Sequence, residues 1–184
     1  MATTTHRMTV EELEQNGGPE GRWELIDGEL VEIPPASEKH GRVVMAIGIR
    51  VGSFVLGQRL GYVYSSETGF VVSTAPRAVR VPNMSFVRAE RLDPDRDRTR
   101  FLRVPPDLAV EVISPGDRTS AVLAKAVMWL GAGSTIVWVV DPVARIVTVI
   151  RHETSPRLYT RDDTLDGGEI LPGFTLAVRD IFLG

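Results

Sequence analysis

The sequence predicts an α+β fold with an α/β-type core, in which helices flank a mixed β-sheet. Three observations lead there. Residues 107–140 read as strand, helix, strand, a crossover that joins parallel neighbours. Hairpin and meander signals lie on both sides of that unit, and antiparallel pairing follows from them. The 184 residues are 43% hydrophobic with mixed charge, enough for one globular domain with a sizeable core, so residues 1–184 are expected to form a single domain.

The elements follow in order. Residues 1–6 are expected to be disordered. In TVEELEQ, Thr9 is placed as an N-cap and Glu12, three residues on, closes a capping box. RWELIDGELVEI is a hairpin, because Asp27-Gly28 between two apolar-rich segments is a strong signal for a type I′ turn. In PPASEKHGRVVMAIGIRVGSFVLGQRLG, Ser37 caps a long amphipathic helix on which His40, Val44, Ile47, Val51 and Phe54 step along one face. Strands are expected in YVYSSETGFVVS, in AVRVPNMSFV (78–87, read as one strand) and in DLAVEVIS. A helix follows in TSAVLAKAVMWLGAG, stopped by glycine, and then strands in TIVWVVD, RIVTVIRH and RLYTRDD. RAERLDPDRDRTRFLR is dense in both signs of charge, and a solvated loop is favoured over a nucleic-acid arm because its acids largely cancel its arginines.

Composition excludes some functions. There is no cysteine, so disulfides and thiolate metal sites are ruled out and a reducing cytoplasm is the expected compartment. The N-terminal MATTTHRMTVEEL lacks a signal-peptide pattern, and no apolar run approaches the length of a membrane span. A net charge of −3 supplies no general attraction to nucleic acid, so DNA contact would need a local basic patch.

Polar residues in apolar surroundings carry the functional signal. Glu111 sits inside PDLAVEVISP, a run expected of a central strand covered on both faces, where a carboxylate must be paired, protonated or metal-bound. By alternation it shares a face with Ala109 and Ile113, which offer no partner. The chain has 19 arginines and two lysines, Lys39 and Lys125, so a lysine amid AVLAKAVMWL suggests a need for a compact ammonium. The alternative is a lysine that snorkels at the edge of a packed helix. Glu24, in WELI, is either a sheet-edge carboxylate or a site member. Together Glu24, Asn83, Glu111 and Lys125, with His40 at the first turn of the long helix, form a set suited to phosphodiester hydrolysis assisted by Mg²⁺ or Mn²⁺. Trp129 and Trp138 lie among few polar neighbours and are expected in core or interface, which points to a homodimer.

The segments RWELIDGELVEIPPASEKH, SSETGF, VRVPNMSFV, PPDLAVEVISPGDRTSAVLAKAVMWLGAGSTIVWVVDP and LPGFTLAVRDIF resemble, over nearly the whole chain, the Uma-two family of bacterial proteins. That family is placed in the restriction-endonuclease-like PD-(D/E)XK superfamily. The resemblance implies a metal-dependent nuclease core acting on DNA. Within it Glu24 matches the acidic residue of the first hairpin and Glu111 that of the second core strand. Lys125 matches a lysine carried by the following helix, and His40 a histidine at the start of the long helix. The implied metal ligands are Glu24, residue 83 and Glu111. Where the family pattern reads Pro-Asp this chain reads Pro82-Asn83, a loss of one negative charge that weakens a hard-cation site. Two functions are left open: a nuclease of reduced activity, and a non-catalytic relative that binds nucleic acid or a protein.

Overall fold

A computed structural model describes residues 7–74 and 77–182, so the disorder expected of residues 1–6 lies outside the described residues. The first helix, α1 (Val10–Asn16), begins as expected. Thr9 accepts from Glu12 N, and the Glu12 carboxylate accepts from Thr9 N. Strands β1 (Trp23–Ile26) and β2 (Glu29–Glu32) pair antiparallel across Asp27 and Gly28, both at positive φ (52° and 79°) as a type I′ turn requires. Helix α2 (Glu38–Gln58) starts at Ser37, whose hydroxyl accepts from His40 N. Its buried stripe is His40, Val43, Ile47, Val51 and Val55 rather than the expected one. Val44 and Phe54 flank that stripe, half-buried, because the helical period turns the packed face by one residue at these two steps.

The strand-forming stretch 61–88 is divided between two sheets. A six-stranded sheet has the order β10-β9-β8-β7-β6-β3, comprising β3 (Gly61–Ser65), β6 (Met84–Arg88), β7 (Leu108–Val112), β8 (Ile136–Asp141), β9 (Ile146–Arg151) and β10 (Arg157–Tyr159). A four-stranded sheet has the order β2-β1-β5-β4 and adds β4 (Phe70–Thr74) and β5 (Arg77–Arg80). The single strand expected over 78–87 is therefore two strands in different sheets. Val81, Pro82 and Asn83 make the crossing, where proline, lacking an N–H, cannot continue a ladder. A small hairpin, β11 (Thr164–Asp166) with β12 (Thr175–Ala177), was not foreseen.

The large sheet is mixed. Only β7 and β8 run parallel, joined by helix α3 (Thr119–Gly131), and β7 is buried at every position. Helix α2 and the C-terminal segments cover one face, around Leu108, Val110 and Trp138. Helix α3 covers the other, around Ala109, Val137 and Trp129. Both tryptophans are fully buried, so they are core and present no aromatic surface to a partner. No helix among the described residues is long and apolar enough to cross a membrane.

Asp107, fully buried just before β7, escaped the sequence reading. Its carboxylate accepts from Arg88 N and Nε, both at 2.9 Å, and pairs with Arg91 at 3.0 Å. Its backbone N–H donates to Phe86, and its carbonyl accepts from Thr135 and Ile136. It thus fixes β6 and the entry to β8 against β7. Removing one member of such a buried charged network is costly. Asp107→Ala is expected to lower unfolding free energy by about 3 kcal/mol in urea denaturation, and Asp107→Asn, which keeps one acceptor, by less. An unchanged urea midpoint in the alanine variant would remove Asp107 from this role.

Candidate active site

Alternation along β7 turns Glu111 to the α3 side with Ala109, and α3 meets it there. Val122, Lys125, Ala126 and Trp129 follow the i, i+3, i+4, i+7 pattern of one helix face, so Lys125 projects inward from between buried neighbours. Lys125 Nζ lies 3.0 Å from Glu24 Oε1 and 3.2 Å from Glu111 Oε1, and donates to the carbonyl of Val81 at 2.8 Å. The reading of Lys125 as a snorkelling surface residue is therefore replaced by one in which all three donors have acceptors. Trp129 Nε1, one turn further along, donates to Glu111 Oε1 at 2.7 Å.

Glu24 arrives from the smaller sheet. Its Oε1 accepts from Val81 N at 2.8 Å, so Glu24 and Lys125 between them hold both backbone polar groups of Val81, at the crossing between sheets. Leu25 pairs with Val79 across β1 and β5, and continuing that register sets Arg80 opposite Glu24. Arg80 Nε lies 3.0 Å from Glu24 Oε2, an ion pair whose N–H is not aligned for a hydrogen bond. Neither Arg80 nor Trp129 stood out in the sequence as a site member. The available signals were the i+4 spacing of Trp129 from Lys125 and the alternation that places Arg80 beside the Pro82-Asn83 crossing.

His40 and Asn83 form a second group at the end of β7. The β6–β7 register, extended by one pair, places Asn83 opposite Glu111. Asn83 N donates to Val110 O at 3.0 Å and Asn83 Oδ1 accepts from Val112 N at 2.7 Å, so the asparagine brackets Glu111 on the strand backbone. The buried His40 ring hydrogen-bonds the backbone of Val112 and the side chain of Asn83. The structure thus brings Glu24, Glu111 and Lys125 into direct contact and joins His40 to Asn83, which is tied to the β7 backbone on either side of Glu111. The oxygen of Asn83 is directed to that backbone.

Burial pushes the proton affinity of Glu111 up. Lys125 and the Trp129 N–H oppose that rise, and the nearby charge of Glu24 adds to it. Desolvation is the largest of these influences, so the net direction is upward. Burial lowers the pKa of His40, against its hydrogen bonds to Val112 and Asn83 and the charge of Asp117; Arg22 adds to the lowering.

Mg²⁺ prefers near-octahedral oxygen coordination with carboxylate charge. Among the described residues no group of three or more His, Cys, Asp or Glu is arranged to hold a metal. Both carboxylates here are paired with the same ammonium, one of them with Arg80 as well, and residue 83 is neutral. These residues do not fit a tightly held resident divalent ion. What they can do is keep a compact charge cluster ordered around a buried carboxylate of raised proton affinity.

Because the pKa of His40 is lowered in the folded state, the unfolded chain takes up its proton first. The contribution of neutral His40 is complete above about 6.5, the unfolded value, and is lost as pH falls through the lower folded value. The stability difference between the wild type and His40→Asn is expected to shrink as pH falls below about 6.5 in parallel urea titrations. A difference independent of pH between 7.5 and 5 would show that His40 is not held neutral, those limits bracketing roughly one unit or more around the reference value.

Comparison with known proteins agrees with this architecture. No curated protein matches the chain. A crystal structure of a protein from Anabaena variabilis ATCC 29413, described as "a putative nuclease belonging to DUF820", superposes with a TM-score of 0.81 at 20% identity. The match covers 95% of this chain and 97% of that one, and at that identity it speaks for the fold alone. The profile of the Uma2 family, described as "Putative restriction endonuclease", matches residues 9–179. With its profile spanning both sheets, all three helices and every residue of the cluster, the chain belongs to the Uma2 family.

Proposed function

We propose that this protein is a restriction-endonuclease-like phosphodiesterase directed at DNA in the cytoplasm, whose hydrolysis, dependent on Mg²⁺ or Mn²⁺, is attenuated by Asn83. The observation that carries this reading is the convergence of Glu24, Glu111 and Lys125 from three separate elements at the point where residue 83 flanks β7. Lys125 supplies positive charge at the edge of the site, its side chain 18% exposed, where it can face a phosphodiester. Glu111, with its raised proton affinity, is the group best suited to take or give a proton. His40 orients the Asn83 amide. No step is assigned to a metal, because the present donor set does not hold one well.

A second reading, a non-catalytic family member that binds nucleic acid or a protein, is favoured by one feature. The cluster is charge-neutral within itself, with two carboxylates against Lys125 and Arg80, and it needs no further cation. We also propose a homodimer. With the tryptophans in the core, its motive becomes the exposed Met45, Ile49 and Leu56 along α2. A monomer mass by light scattering at micromolar concentration would refute it.

Asn83→Asp separates the two functional readings. It places a carboxylate between Val112 N and His40, so divalent-metal affinity is expected to rise by about tenfold or more in calorimetric titration. The His40 pKa should move up, because an anionic acceptor replaces a neutral one. In apo protein the added charge opposite Glu111 should lower the melting temperature near neutral pH, and excess Mg²⁺ or Mn²⁺ should restore it more than in the wild type. Nicking of supercoiled DNA should appear or increase. If the variant gains neither metal-dependent stabilisation nor nicking, the non-catalytic reading is the correct one.

A further inference from the structure

A cleft of about 470 Å³ opens beside the carboxylate–lysine cluster, a size within the range typical of small-molecule sites (~300–1,000 Å³). Val81, whose backbone is held by Glu24 and Lys125, forms part of its wall, so the cleft adjoins the site. Arg22, Trp23 and Phe101 supply its chemistry. Trp23 and Phe101 meet edge to face, with centroids 6.2 Å apart, and both are only half-buried. Two glycines set these rings. A Cβ at Gly18 would overlap the indole of Trp23, and one at Gly69 would collide with Phe101 and Val79. The rings are thus held by close backbone approach while part of their surface stays open.

Arg22 is held in place at one end and unsatisfied at another. Its Nη2 donates to the carbonyl of Ser66 at 3.0 Å, while its Nε is buried without a hydrogen-bond partner. A buried donor left unpaired costs free energy, and a ligand acceptor in the cleft would remove that cost. The guanidinium is also near enough to His40 for its charge to act on the imidazole. Glu67, exposed, lies along the same cleft and opposes entry of a highly charged group such as a polyphosphate.

Aromatic faces next to a guanidinium are the usual means of taking an unpaired nucleotide, the base stacking on the rings and the phosphate meeting the cation. We propose that this cleft accepts one unstacked nucleotide of a DNA strand, its base against Trp23 and Phe101 and its phosphate toward Arg22. The proposal rests on the reading of the protein as directed at DNA, and it names where a nucleotide flanking the cluster is held. One unit fits and a duplex does not, so the strand must be single or locally splayed.

The test is binding without chemistry. In EDTA, a fluorescein-labelled (dT)10 strand is titrated with protein by anisotropy, and unlabelled (dT)10 is followed separately through tryptophan emission. Trp129 and Trp138 are fully buried, so quenching reports on Trp23. The expected result is binding with quenching, a loss of at least about fivefold in affinity for Arg22→Met and for Trp23→Leu, and much weaker competition by dTMP than by (dT)10. Circular dichroism checks the Trp23 variant; if it is misfolded, Arg22→Met decides alone. Absence of (dT)10 binding, or binding that Arg22→Met leaves unchanged, overturns the proposal. Equal affinity for dTMP and (dT)10 overturns the assignment to a strand in favour of a free nucleotide. Failure here is distinct from failure of the nuclease reading. Nicking by Asn83→Asp without Trp23-dependent binding rejects the cleft alone, and Trp23-dependent binding without rescue of nicking rejects the chemistry alone.

Discussion

The ammonium of Lys125 is the point on which the two sheets are joined. It carries three donors and meets three acceptors: Glu24 Oε1 from the small sheet, Glu111 Oε1 from the large one, and the carbonyl of Val81 at the crossing between them. A chain with 19 arginines uses one of its two lysines here because a planar guanidinium cannot place its donors toward three separate elements around one centre. Without that charge, Glu24 would keep only Arg80 and the Val81 N–H and Glu111 only the Trp129 N–H, two like charges less than a tenth exposed, and the cost of several kcal/mol would fall on the helix, the strand and the crossing together. The fold and the cluster are therefore not separable layers of the molecule.

This coupling explains the behaviour of residue 83. Asn83 contributes two contacts that a β-ladder would otherwise lack after Pro82, one through its N–H to Val110 and one through its side-chain oxygen to Val112 N. An aspartate could make both. What differs is charge: with asparagine the cluster balances Glu24 and Glu111 against Lys125 and Arg80, whereas an aspartate would leave one negative charge in excess. Asparagine thus suits a site that is stable by itself, and aspartate one that requires a cation to be complete.

The features legible in the sequence were those in which local chemistry and burial conflict. Glu111 and Lys125 were visible because each interrupts an apolar run, and the capping box at Thr9 and the Asp27-Gly28 turn because their residue types have few other uses. The break at 81–83 was hidden because both flanking segments have strand composition and Pro82 could equally begin a strand. Asp107 was hidden for another reason. Its partners, Arg88 and Arg91, lie in a segment so rich in both charges that no one pair stands out. Helix periodicity located the buried face of α2 to within one residue but could not choose between Val43 and Val44, since that depends on the strands it packs against.

The acid–lysine cluster serves the fold as well as the chemistry proposed for it. A protein that had lost all activity would still be expected to keep Glu24, Glu111 and Lys125, since losing Lys125 leaves two acids sharing a buried site and losing either acid leaves a cation short of an acceptor. Residues that packing does not require are more informative. His40 could be replaced by an apolar residue on the buried stripe of α2, yet it is a histidine held against Asn83, at a desolvation cost that lowers its pKa. Arg22 leaves a buried Nε unsatisfied next to an open cleft. Neither is needed to hold the sheets together. The functional content of this molecule is therefore to be sought where His40, Asn83 and Arg22 adjoin the Lys125 cluster, which fixes the backbone between them.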